Sequence, residues 1–173
     1  LRVSEILQRN VERLMDLTKR EQEIRLGELD ELFHARTLDR IFIEERIYND
    51  KEFEQAPDMD TALAHIDLRL EPYKKDFIRE ITRDDLLRII AESYFLKEDY
   101  AQAARYIASY SPEIMGREEN YILGYSLYRM ARYNDAVTPL KRVCGPDDAL
   151  TQNAAYHLGD CYIKLGNKSN AAD

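Results

Sequence analysis

The sequence predicts an all-α fold, an antiparallel helix-hairpin solenoid, on three observations. Three stretches of the chain align on one another at a spacing of roughly 34 residues, and each reads as a short helix, a tight turn and a second helix. The composition holds only 6 Gly and 5 Pro, while a charged fraction of 34% supplies the solvated faces of amphipathic helices. Ahead of the aligned stretches, apolar residues also recur at helical spacing.

Residues 1–83 read as an N-terminal helical region with a degenerate or capping repeat. Val3, Ile6, Leu7, Val11, Leu14, Met15 and Leu17 follow a helical period, and Ser4 offers an N-cap. A polar run from Thr18 to Glu23 separates them from Ile24, Leu26, Leu29, Leu32 and Phe33 and interrupts any heptad, so a helical hairpin is expected rather than a long coiled coil. A further helix is expected from about Thr37 through Leu38, Ile41, Phe42 and Ile47. The segment from Tyr48 to Ala56 then imitates the turn of the later repeats, although Glu44 stands where a small residue belongs. Pro57 breaks the chain, Asp60 or Thr61 caps a helix through Ala64, Ile66, Leu68 and Leu70, and helix resumes from Tyr73 to Ile81 after Pro72.

The repeats occupy residues 84–173, as units 84–116, 117–150 and an incomplete 152–173. Ala91, Gly124 and Gly159 are the small residues at which each first helix lets its neighbour approach; Ala103, Ala136 and Ala171 do the same for the second helices. Ile90, Leu123 and Leu158 beside them fill the remaining gaps. Pro139 falls inside the second helix of the middle unit, where its missing N–H is expected to remove a hydrogen bond and bend the helix near Asp135. The third unit stops soon after Ala171 opens its second helix, so this reading expects the array to continue in a longer chain.

Over residues 84–173 this pattern resembles the tetratricopeptide repeat. Tyr94 and Tyr162 match its first-helix aromatic, and Tyr100 and Tyr133 match its turn aromatic. Leu127 and Lys168 depart from those positions, and the proline that ends a unit is displaced to Pro112 and Pro146. The resemblance implies a right-handed superhelix whose first helices line a concave groove, with Arg88, Glu92, Phe95, Tyr121, Tyr125, Arg129, Asn153, Tyr156, Asp160 and Lys164 on or near it. Ten of the 12 tyrosines lie at or after Tyr94, and a Tyr-lined groove suits a peptide because Tyr gives contact area at low entropic cost and keeps a hydroxyl. Tyr121, Tyr125 and Tyr156 are expected in the groove, and Tyr94, Tyr128 and Tyr162 in the core. Repeats that clamp the carboxylate tails of chaperones are a poor match, because Glu92 would repel the tail. The run from Asp148 to Tyr162 resembles repeats of large tetratricopeptide proteins of Bacteroidetes-type bacteria, which tilts the expected location towards the periplasm or cell envelope over the cytoplasm.

Net charge of -8 and a pI near 5.0 argue against nucleic acid as a partner, since phosphate is bound through clustered Lys and Arg. The segment from Leu17 to Ile24 is similar to the opening of LuxR-type helix-turn-helix domains, but no basic recognition helix follows it. No apolar run is long enough to cross a bilayer, so membrane insertion is not expected. His157, Asp160 and Cys161 form the best catalytic-looking cluster, because His157 and Cys161 share a helix face; yet they occupy positions that serve packing or the groove. His34, His65 and His157 are scattered and Cys144 and Cys161 form no CxxC pair, so no metal or cofactor is expected, and the two thiols are read as free. The expected function is a non-catalytic scaffold that binds a protein or peptide. The alternatives are a homo-oligomeric assembly protein that self-associates through its N-terminal helices, and the sensor half of a larger regulator.

Overall fold

Every regular element among the described residues of the computed structural model, 27–169 and Glu12, is helical. The expected hairpin upstream of residue 27, and Ala171 with its second helix, lie outside them. We number the α-helices α1 (27–44), α2 (Lys51–Glu54), α3 (Met59–Leu70), α4 (Arg83–Leu96), α5 (Tyr100–Ile107), α6 (Arg117–Arg129), α7 (Tyr133–Val143) and α8 (Ala149–Ser169). Two 3-10 turns, Ile47–Asn49 and Glu71–Asp76, join the early ones.

The N-terminal half departs from expectation in three places. Helix α1 runs unbroken through Thr37, the expected start of a further helix, and the Thr37 hydroxyl bonds back to the Phe33 carbonyl at 2.8 Å. The cap of α3 is Asp58, which accepts the Thr61 amide at 2.7 Å, two residues before the expected cap. The helix expected from Tyr73 to Ile81 is a 3-10 turn that ends at Asp76, and no helix covers residues 77–82. The imitation repeat turn at Tyr48 leads only into the single turn of α2, whose Phe53 nevertheless reaches the core, edge-on to Tyr94.

Three charged hubs tie these pieces together. Asp85 completes a capping box with Thr82, takes two bonds from Arg79 at 2.7 and 3.0 Å and meets His34 of α1 at 3.1 Å. Burial works against its charge, but the Arg79 and Thr82 bonds hold its pKa at about 2. The shift contributes about 2 kcal/mol above pH ~4, lost as pH falls towards 2. Asp50 likewise caps α2 and accepts from His65 at 2.8 Å and Arg69 at 2.6 Å. Arg117, opening α6, forks onto Asp148 at 2.8 and 2.9 Å and donates to the Val143 carbonyl at 2.8 Å, joining three helices.

From α4 onward the hairpins repeat in detail. Lys97 to Asp99 and Met130 to Arg132 make the same turn: Glu98 and Ala131 adopt left-handed backbone (φ 61 and 60), and the amides of Asp99 and Arg132 bond five residues back, to Tyr94 and Leu127, both at 2.9 Å. Helix α4 packs on α5 and α6 on α7; α4 also touches α6, and α6 touches α8. Two hydrophobic clusters result, one built on α1 to α5 with Ile122 of α6 and one on α6 to α8 with Ala104 of α5, and Leu123 packs against both.

The small residues divide. A methyl group on Gly124 would stand 2.8 Å from Cγ and Cδ2 of Leu140 and 3.1 Å from the Leu140 backbone nitrogen, so α6 and α7 meet there at the limit of contact. Ala91, Ala103 and Ala136 are fully buried. Gly159 has nothing within 4 Å of such a methyl, so it does not serve the expected close approach. The turn expected before Lys168 is also absent: α8 continues to Ser169. Helix α7 runs unbroken through Pro139, whose ring is buried in the α7 contact face.

Gly124→Ala is expected to destabilise by about 1–3 kcal/mol, because the clash with Leu140 outweighs the helix-propensity gain. Gly159→Ala, in open space, is expected to stabilise by up to about 1 kcal/mol. Thermal unfolding of the two variants against the parent checks both signs.

Candidate functional site

Side chains from α4, α6 and α8 meet in one continuous set of rings. On α6, Tyr121 and Tyr125 lie one turn apart and stack at 5.7 Å with planes 20° from parallel. Phe95 of α4 approaches them edge-on, 5.5 Å from Tyr125 and 6.4 Å from Tyr121. His157 of α8 sits 4.9 Å from Tyr125 and 4.7 Å from Tyr128, and Tyr156 meets His157 at 5.2 Å. Tyr100, at the start of α5, joins Phe95 and Tyr125 at 5.7 and 5.6 Å. Such pairs contribute about 0.5–1.5 kcal/mol each beyond the area they bury, so the set is stiff as well as large.

Polar groups border the rings. Arg129 lays its guanidinium over Tyr100 at 4.9 Å and donates to the Tyr125 hydroxyl at 3.2 Å. The Tyr128 hydroxyl donates to Asp160, and that bond holds the phenol well above its usual pKa. Lys164 lies 3.9 Å from Asp160 and over the Tyr133 ring. Between α4 and α6 a cleft of about 370 Å³ opens beside Phe95, Leu96, Tyr121, Ile122 and Leu150, with Arg88 and Glu92 on its rim.

Of the ten residues expected in a groove, Phe95, Tyr121, Tyr125, Arg129 and Tyr156 belong to the ring set, and Asp160 and Lys164 adjoin it through Tyr128 and Tyr133. Asn153 is exposed on α8, one turn before His157. Arg88 is engaged by α1: it bonds Asp39 at 3.3 Å and Glu92 at 2.6 Å, and is mostly buried. Tyr94 is in the core, stacked on Tyr106, and Tyr128 is half-buried. Tyr162 corrects the core expectation: it is 45% exposed, because no described element covers that side of α8. Tyr100 and His157 were not among the ten. The turn position hid Tyr100, and His157 shows its place only once α6 and α8 are side by side.

The His157, Asp160 and Cys161 cluster has the electrostatics of packing. Cys161 is fully buried, and burial, with Asp160 adding, raises its thiol pKa, the reverse of an activated thiolate. Burial lowers the His157 pKa, with Arg129 acting in the same direction against Asp160. Its Nδ1 is buried with no hydrogen-bond partner among the described residues. No helix among the described residues is long and apolar enough to cross a membrane.

The depressed His157 pKa has a pH consequence. The folded state disfavours protonation of this ring, so the stability it contributes is complete above the unfolded value near 6.5 and declines as pH falls below it, towards the folded pKa. Melting temperatures measured from pH 7.5 to 5 are expected to fall more steeply for the parent than for His157→Asn. Equal slopes would show that His157 is not protected from protonation.

Comparison of the chain with models of protein families, with curated proteins and with solved structures gives no match.

Proposed function

We propose that the chain is a non-catalytic interaction scaffold that binds a peptide or protein segment across the ring-lined face of α4, α6 and α8. In this reading the helix pairs are tetratricopeptide-like units that stack as a right-handed superhelix. The observation that carries it is the ring set: Phe95, Tyr121, Tyr125 and Tyr156 come from three successive first helices and stay half-buried or exposed. A folded core would be expected to enclose that much aromatic surface unless something else covers it. Rigid rings with hydroxyls lose little entropy on binding and offer both apolar contact and hydrogen bonds. The matching turns at Glu98 and Ala131 support the repeat reading, since both hairpins end their first helix with the same left-handed residue conformation and the same backbone bond.

The test is capture of partners by the intact protein and by Tyr121→Ala with Tyr125→Ala. We expect both substitutions together to remove capture, with a loss of at least about 2 kcal/mol of binding, while the helical circular dichroism is kept. Capture that survives in a folded double variant would place binding elsewhere.

A further inference from the structure

Helix α6 carries charges of opposite sign at its two ends that make no ion pair among the described residues, and we infer that the ring-lined face takes an extended peptide with a Lys or Arg about five residues from an Asp or Glu. This rests on the scaffold reading. Glu118 and Glu119 occupy the first turn of α6, have no ion-pair partner among the described residues and line the α4–α6 cleft. The floor of that cleft is apolar, and Leu96 at its edge is 75% exposed. Glu92 on the rim is short of positive charge: burial and then Asp39 raise its carboxyl pKa even though Arg88 is bonded to it. The charge of Arg88 is already divided, since Asp39 and Glu92 share its guanidinium. A cationic side chain entering the cleft would therefore meet three carboxylates, with Arg88 bonded to one of them and Arg36 of α1 bordering them from the adjoining cavity.

At the other end Arg129 is exposed and makes no ion pair among the described residues; its contacts are the rings of Tyr100 and Tyr125 and the Tyr125 hydroxyl, and the Glu98 carboxylate acts on its charge only from beyond ion-pair distance. Glu118, Ile122, Tyr125 and Arg129 follow the helical period, so the two charges and the ring between them share one face. The helix dipole favours these signs at these ends, which accounts for the charges but not for the apolar cleft beside them. From Glu118 to Arg129 the helix rises about 16 Å, which an extended chain at about 3.3 Å per residue spans in about five residues. The net charge of -8 favours approach of the basic end.

The test uses the whole chain and fluorescein-labelled peptides carrying Lys and Glu on either side of a four-residue middle of Leu, Phe and Ser, made in both directions, with Gln replacing both charges as a control. One direction is expected to bind about five- to tenfold more tightly than the control. Glu118→Gln with Glu119→Gln, and separately Arg129→Gln, should each remove much of that gain, as should about 0.5 M salt. Tyr125→Ala should weaken every peptide. If the Gln control binds as well as the charged peptides and Tyr125→Ala still abolishes binding, the charge anchors are overturned and the scaffold stands. Both readings are overturned if no peptide binds, or if Tyr125→Ala changes nothing in a protein whose melting shows it folded.

Discussion

The approach of α6 to α7 at Gly124 is the contact on which the rest of the C-terminal half depends. A residue without a side chain lets the Leu140 side chain and backbone come within van der Waals reach of the α6 backbone, so the hairpin closes tightly. That closure spends one face of α6 on the core, through Leu127, and leaves the opposite stripe, with Tyr121 and Tyr125, turned towards α4 and α8. Pro139 stands next to Leu140 on the partner helix, buried in the same contact. The ring surface is thus a by-product of how closely two helices can pack.

Charge then decides how the hairpins are joined to what precedes and follows them. Asp85 gathers α1 and Arg79 at the start of α4, Asp50 gathers α2 and α3, and Arg117 clasps the end of α7 to the start of α8. Each hub sits at a helix terminus, where an unpaired amide or carbonyl already calls for a partner, so one carboxylate or guanidinium satisfies a cap and a tertiary contact together. The same logic removes Arg88 from the candidate surface: α1 lies against α4 and presents Asp39.

How much of this the sequence discloses follows from the range of each interaction. The hairpins α4–α5 and α6–α7 are local structures, with caps, small residues and turns all within a few tens of residues, and they are legible in the aligned stretches. Tyr121 and Tyr125 can be placed on one stripe of α6 from their spacing alone. The role of His157 cannot, because it depends on α6 and α8 lying side by side. Gly159 looks like Gly124 in alignment, yet one touches Leu140 and the other touches nothing, a difference set by the neighbour rather than the residue. The helix starts expected near Thr37 and Tyr73 differ for a local reason: the Thr37 hydroxyl bonds back within a continuous helix, and Pro72 opens a 3-10 turn as readily as an α-helix.

The account's central claim is that successive first helices present one joined ring surface, and the joint that matters is between α6 and α8. Nuclear Overhauser contacts between the His157 ring protons and those of Tyr125 and Tyr128 test it most directly, since the ring centroids lie 4.9 and 4.7 Å apart. The account predicts cross-peaks from His157 to both tyrosines in the free protein. Their absence, in a sample whose Phe95 to Tyr125 contact is intact, would mean that α8 does not stand beside α6 and that the surface ends at the middle hairpin.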